Sequence, residues 1–313
     1  MTTLALIGVG NWGKNYLKAA KQIGNCRIKY IFAKSAKNLK QFSTRYICSI
    51  FIDELFTLND LDGIIIATPA ETHFKLVKKC IENKIPVLVE KPLTITLRET
   101  KELIRLSKKF SSLVLVGHIY LHNPAFQVIK KKLITLGEIL YLSFEAGNNG
   151  PARSYTTPLW DWGPHDISML LELTNELPLS VSSWMIKNSY LATQNNYLLR
   201  LKFANFPVFI TLGNLFPIKK RIISIKGTKK SIIYDEPTEQ KIAVINHETN
   251  KSSFLIYNSE KQPLINQLEF FLGLIREKKT SPESLTLALK IAQILDGVEH
   301  SLESKTPYIL KII

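Results

Sequence analysis

Three short stretches carry residue types that could do chemistry. In Glu90-Lys91-Pro92 a lysine follows a carboxylate and precedes a proline. An ammonium there can hold a hydroxyl or carbonyl oxygen, and with its pKa lowered it can take part in proton transfer. In Trp160-Asp161-Trp162-Gly163-Pro164-His165-Asp166 a carboxylate and an imidazole stand four residues apart. On a helix Asp161 and His165 would face one side, and histidine is the usual acid or base at neutral pH. The third stretch is Gly117-His118-Ile119-Tyr120. Each has a structural reading beside the chemical one. His165 could cap or fill a core, Lys91 could be a surface lysine, and Asp166 reads as stabilising a helix that begins near Pro164.

The elements that must position these residues begin at the N-terminus. Leu4-Ala5-Leu6-Ile7 is a short apolar run, followed by Gly8-Val9-Gly10-Asn11-Trp12-Gly13 and a helix-like segment from Lys14 to Gln22. The spacing G-x-G-x-x-G after a strand has a specific use. Gly8 permits a tight turn, Gly10 lets a pyrophosphate approach the backbone, and Gly13 lets the helix pack on the strand with its N-terminus toward the anion. A glycine-rich turn without ligand is the alternative. Strand and helix patterns then alternate. Residues 27–32 read as a strand, 38–45 as a helix, 62–69 as a buried β-branched strand and 72–83 as a helix. Residues 86–89 read as a strand that Glu90-Lys91-Pro92 ends, 97–110 as a helix and 113–117 as a strand. This order predicts an α/β Rossmann domain over 1–119, a doubly wound parallel sheet. Glu90-Lys91-Pro92 then falls at its carboxyl edge, where ligands bind in open α/β sheets.

The pattern changes after residue 120. A helix at 124–136 is followed by strand-like segments at 139–145, 180–186, 197–203, 208–212, 222–226, 231–234, 241–246 and 253–257. Helices at 264–278 and 281–302 close the chain. Runs of strands with short connections predict a C-terminal α+β domain over 120–313 with a large, mostly antiparallel sheet, the last helix packing back on the first domain. One face of that sheet needs a cover. Phe203, Phe206, Phe209, Leu212 and Phe216 are read as its apolar surface, which points to a homodimer or homotetramer through the sheet.

The 313 residues carry a net charge of +15. Such an excess attracts phosphates of any kind. Its lysines are spread out, with short clusters such as Lys130-Lys131-Lys132 and Lys219-Lys220-Arg221 read as solvated faces, and no nucleic-acid-binding signature accompanies them. No apolar run is long enough to span a bilayer, and the first one stops at Gly8 without a basic leader, so no membrane segment or signal peptide is expected. Cys26, Cys48 and Cys80 are isolated, as in a reducing cytoplasm, and the six histidines show no metal-ligand spacing with carboxylates.

An NAD site usually has an Asp or Glu after the second strand, about twenty residues past the glycines. Here that position reads Phe32-Ala33-Lys34-Ser35, and no carboxylate precedes Asp53. Lys34 and Ser35, with Lys37, suit a 2′-phosphate, which favours NADP over NAD. The alternative is a solvated Lys34 and NAD bound without the acid.

Together these residues resemble the Gfo/Idh/MocA family, the glucose-fructose oxidoreductase and inositol dehydrogenase group. The resemblance rests on Gly8-x-Gly10-x-x-Gly13, Ala67-Thr68-Pro69 with Thr72-His73, Glu90-Lys91-Pro92, Gly117-His118 and the Asp161…His165 pair. It implies an NAD(P)-dependent oxidoreductase that interconverts a ring hydroxyl and a ketone on a sugar, inositol or sugar nucleotide. Residues 159–168 look most like a bacterial subgroup linked to nucleotide sugars of surface polysaccharides. By this resemblance Gly8, Gly10, Asn11, Trp12, Gly13, Thr68, Pro69, His73, Glu90 and Lys91 would hold the dinucleotide, with Lys34 and Ser35 added from the reading of the second strand's end, where the missing acid departs from the family pattern. Lys91, His118, Tyr120, Arg153, Asp161 and His165 would hold the substrate. His165 would move the hydroxyl proton, Lys91 polarise the same oxygen and Asp161 orient the sugar or the imidazole. A regulator that binds the dinucleotide without turnover, and an oxidoreductase for a non-sugar substrate, stay open.

Overall fold

In the computed structural model, residues 1–150, 156–189, 193–238, 241–257 and 262–311 are described. The chain runs β1 (Thr2–Ile7), α1 (Asn11–Gln22), β2 (Cys26–Phe32), α2 (Ala36–Leu39), β3 (Ile47–Ser49), β4 (Gly63–Ile66), α3 (His73–Glu82), β5 (Val87–Glu90), α4 (Leu97–Phe110) and β6 (Val114–Gly117). There follow α5 (Pro124–Lys132), β7 (Ile139–Asn149), α6 (Pro158–Thr174), β8 (Ser180–Lys187), β9 (Asn195–Lys202), β10 (Pro207–Gly213) and β11 (Leu215–Gly227). The chain ends with β12 (Lys230–Asp235), β13 (Ile242–Asn246), β14 (Ser252–Phe254), α7 (Pro263–Glu277), α8 (Pro282–Ser304) and β15 (Tyr308–Ile309). Two compact units form, one from Met1–Ile119 with Lys261–Leu289, the other from Tyr120–Glu260 with Lys290–Ile313.

The first unit holds a six-stranded parallel sheet in the order β3-β2-β1-β4-β5-β6. Its central strands are apolar on both faces because both are covered. Leu4, Leu6, Ile65, Leu88 and Leu115 pack with α1 and with Leu268 and Phe271 of α7. Their sequence neighbours Ala5, Ile7, Ile64, Ile66, Val87 and Val89 face the other way, onto Val77 and Ile81 of α3 and Leu103 of α4. Helix α7 thus belongs to the first unit although the sequence pattern groups it with the second half. Residues 38–45 are not one helix. The helix ends at Leu39, and a short strand and a 3-10 turn at Ile52–Thr57 complete the segment.

The second unit holds a nine-stranded sheet in the order β14-β13-β12-β11-β7-β10-β9-β8-β15. All its pairings are antiparallel except β7 with β10. The apolar residues expected on its open face divide between the two faces. Phe203, Leu212 and Phe216 are buried, whereas Phe209 is exposed. Alternate residues of a strand point to opposite faces, so a run of aromatics cannot all share one. The open face instead presents Phe209, Trp184, Ile186 and Ile233. Helix α6 starts one and a half turns before Pro164, at Pro158, where Thr157 caps it and accepts from the Trp160 amide.

Two glycines fix the start of the first unit. A Cβ on Gly13 would lie 2.0 Å from the Gly8 carbonyl oxygen, and Gly8 itself has φ +97° with the Ala67 carbonyl oxygen 2.6 Å from its would-be Cβ. These are backbone atoms that cannot turn aside. Gly13→Ala is expected to cost on the order of 3 kcal/mol in urea melts, whereas Gly24→Ala, where nothing lies within 4 Å, leaves the midpoint unchanged. In the second unit burial pushes His122 down from 6.5 to about 4, so it is neutral in the fold and takes up a proton on unfolding below its ordinary pKa. Stability is expected to fall by on the order of 2 kcal/mol as the pH drops from about 6.5 to about 4.5, and His122→Gln to flatten that loss.

Candidate functional site

The carboxyl edge of the parallel sheet gathers the loops that follow β1, β2, β4, β5 and β6. Gly10 caps α1 from an extended conformation, with no side chain bonded to the first amides and no acidic residue in the first turn. Nothing lies within 4 Å of a Cβ placed on Gly10, which is exposed together with Asn11 and Trp12. A helix N-terminus with open amides over a glycine suits a pyrophosphate, so the residues present fit a dinucleotide. The side of β1 toward β2 carries the exposed Lys34 and the half-buried Ser35, whose hydroxyl does not cap α2.

After β4, Thr68 shares a hydrogen bond with Thr72 at 2.6 Å between their hydroxyl oxygens, beside the exposed Pro69. His73 is buried. Its Nδ1 lies 2.8 Å from the Pro92 carbonyl oxygen and its Nε2 2.9 Å from that of Thr68. Burial lowers its pKa, so the neutral ring donates from one nitrogen at a time. With both nitrogens against backbone carbonyls, His73 braces the loops after β4 and β5 rather than reaching out to a ligand.

Glu90 ends β5 and is buried to 8% exposure. The Tyr16 hydroxyl donates to its Oε1 at 2.6 Å, and the Gln267 amide donates to that hydroxyl at 2.8 Å. Burial pushes the Glu90 carboxyl up, and the Tyr16 and Trp12 hydrogen bonds partly oppose this. Gly117 on β6 leaves the room, since a Cβ there would come within 3.2 Å of Glu90 Oε1. One network therefore fastens α1, α7 and the end of β5. Tyr16 and Gln267 were not legible as site residues, because Gln267 reads as one more residue of an amphipathic helix. Lys91 follows, half-buried, with a cis bond to Pro92. His118 is buried just past β6.

In the second unit Asp161 and His165 stand four apart on α6, both half-buried. Asp166 lies in the third turn, not at the helix start, and it does not serve the N-terminus. Arg221 of β11 donates to its Oδ1 at 2.6 Å, and both side chains are 2% exposed. The Lys219-Lys220-Arg221 cluster is thus not a solvated face throughout. Burial opposes the guanidinium's charge, but Asp166, Tyr120, Glu236 and Tyr234 together outweigh it and hold the Arg221 pKa up. The guanidinium lies over the Tyr120 ring, 4.3 Å from its centre, and 5.6 Å from that of Trp162. Tyr120 meets the His165 ring edge to face at 5.0 Å. Burial pushes the Tyr120 hydroxyl up to about 12, so it stays protonated. Arg153 lies outside the described residues.

Residues 2–118 match the model of an oxidoreductase family, NAD-binding Rossmann fold, named for Gfo, Idh and MocA. Over 177 residues the chain is 27% identical to the UDP-N-acetylglucosamine 3-dehydrogenase of Acidithiobacillus ferrooxidans, covering 56% of this chain and 55% of that one. The chain spans about half the length of the curated relatives it matches. A crystal structure from Magnetospirillum magnetotacticum MS-1, assigned as an oxidoreductase, is 29% identical with a TM-score of 0.86, over 95% of this chain and 99% of that one. The protein GenD2 from gentamicin A biosynthesis, solved in complex with NAD, shares the fold at 15% identity and a TM-score of 0.87, over 99% of this chain and 97% of that one. The glycine turn, the strand order and these likenesses agree: residues 2–118 match the NAD-binding Rossmann domain of the Gfo/Idh/MocA oxidoreductases.

Proposed function

We propose that the protein is an NAD(P)-dependent dehydrogenase or reductase that interconverts a ring hydroxyl and a ketone on a sugar or sugar nucleotide. The observation that carries this reading is the carboxyl edge of the parallel sheet. An open glycine turn with unused helix amides and a lysine fixed behind a buried carboxylate share that one edge. The likeness to a UDP-N-acetylglucosamine dehydrogenase supports the substrate class. The basic balance of +15 suits a substrate diphosphate.

When bound, the nicotinamide supplies the hydride chemistry. The chain's own part is to bind, orient and move a proton. Lys91 donates to the substrate oxygen and stabilises its developing negative charge. The His165 imidazole takes the hydroxyl proton in oxidation and returns it in reduction. Asp161, on the same side of α6, orients the sugar or the imidazole. His118 and Tyr120 line the substrate in this reading. Lys34 and Ser35 favour the 2′-phosphate of NADP, since no carboxylate stands where NAD enzymes hold the ribose. A second copy covering the open sheet face, through Phe209, Trp184 and Ile186, belongs to the same reading, as does a cytoplasmic location for three isolated thiols.

Titration with NADPH and NADH, followed by nicotinamide fluorescence with UDP-, GDP- and dTDP-sugars present, tests it. Tighter binding of NADPH supports the Lys34-Ser35 reading, and equal or tighter NADH overturns it. Cofactor consumption with one of the sugars supports the substrate class, whereas binding without turnover on any of them favours a regulator or a non-sugar enzyme. Lys91→Met and His165→Ala should each lower turnover by about a hundredfold or more with the melting temperature kept. Near-normal rates in either would remove its assigned role. Gly10→Ala should leave the fold intact, since its Cβ meets nothing, yet weaken dinucleotide binding by about tenfold or more by filling the cradle.

A further inference from the structure

Arg221 is an unusual residue to bury. Leaving water costs a guanidinium several kcal/mol, and well-packed apolar side chains can join a helix to a sheet without that cost. What an arginine adds is geometry: a planar fork for a carboxylate and a flat face for aromatic rings. Both are used here. One arm of the fork, Nη1, donates to Asp166 Oδ1 at 2.6 Å, with Glu236 3.9 Å from Nε, and the face lies over Tyr120 and near Trp162. Three of these partners flank His165. Asp166 is its neighbour on α6, Trp162 lies one turn back, and Tyr120 packs against the imidazole itself at 5.0 Å and 79°.

We propose that Arg221 is a positioning residue for His165. Through Tyr120 it sets the ring against which the imidazole rests, and through Asp166 it fixes the rotation of the helix that carries it. The inference rests on the acid/base role given to His165 above. Among the described residues, the ionisable groups near this imidazole include Asp161 and Asp166 on its own helix, Tyr120 in the turn before α5, Arg221 on β11 and, beyond it, Glu236 and Tyr234. Lysine keeps the charge of Arg221 but has neither the fork nor the flat face, so the two properties can be separated.

Protein labelled with 15N-histidine gives the imidazole signals of all six histidines, and His165→Gln assigns one of them. Three variants are compared with wild type. Arg221→Lys keeps the charge. Arg221→Met with Asp166→Leu replaces the pair by apolar side chains and so avoids a stranded carboxylate. Tyr120→Leu removes the ring. The expected result is a His165 titration midpoint displaced by about half a pH unit or more in all three, with weakened contacts to Tyr120 in the two Arg221 variants. The other five midpoints stay put, and Tyr120→Phe restores the wild-type value. A His165 midpoint within about 0.1 unit of wild type in folded Arg221→Lys, with its Tyr120 contacts intact, overturns the proposal. Should the double variant not fold, Arg221→Lys and Tyr120→Leu decide it. The titration needs no substrate, so an enzyme silent on every sugar counts against the functional reading and leaves this result to stand by itself. With an active sugar, kcat should fall about tenfold or more in Arg221→Lys while the cofactor Kd stays unchanged.

Discussion

Helix α1 can lie on β1 only because two glycines meet there without side chains. Any Cβ on Gly13 would sit 2.0 Å from the Gly8 carbonyl oxygen, inside the contact distance of real atoms. The close approach fixes where the N-terminus of α1 ends up, at the carboxyl edge of the sheet with its first amides uncapped by side chains. It also fixes Tyr16, one turn further along, at hydrogen-bonding distance from Glu90 at the end of β5. A backbone contact near residue 10 thereby places a carboxylate near residue 90, and the lysine that follows it.

Both units bury charged or polar groups beside the residues proposed to act. Glu90 shares a proton-donating network with Tyr16 and Gln267, and Asp166 shares an ion pair with Arg221. Removing one partner of a buried pair costs far more than the pair contributes to stability. Such groups therefore act less as glue than as constraints on register and rotation. The apolar contacts around Leu4, Leu6 and Phe271 could tolerate a small slide of α1 or α7, but a hydrogen bond of 2.6 Å between Tyr16 and Glu90 could not.

The parts of the fold that could be read from the sequence are those whose cause is local. The glycine spacing, the β-branched runs and the helical periodicity of α3 and α4 each act within a dozen residues, and the parallel sheet follows from their order. Where two local signals competed, the reading slipped. Pro164 suits the first turn of a helix, but Thr157-Pro158 offers the same signal with a capping hydroxyl, and α6 begins there. That choice moved Asp166 from a helix terminus to the third turn, and with it the residue's purpose. Arg221 and Gln267 were out of reach for a different reason. Their partners lie 55 and 251 residues away, and nothing near either residue marks it as buried. In β10 the alternation of Val208, Ile210 and Leu212 against Phe209 was visible, but the aromatic character of Phe209 masked which face each residue takes.

The charge pattern of the first unit bears on cofactor choice through what is missing. Nine lysines and arginines precede the first carboxylate of the chain, Asp53, which itself pairs with Lys79. No acid is therefore available after β2 to accept bonds from ribose hydroxyls or to repel a 2′-phosphate. Repulsion of the wrong ligand is a large part of how a site discriminates. A site without that acid loses its means of rejecting NADP whether or not Lys34 contributes a bond. The proposed preference for NADP thus divides into two effects: lost repulsion, due to the missing acid, and gained attraction, due to Lys34 and Ser35. Replacing both by alanine, Lys34→Ala with Ser35→Ala, removes only the second, so it isolates the share of selectivity that rests on attraction.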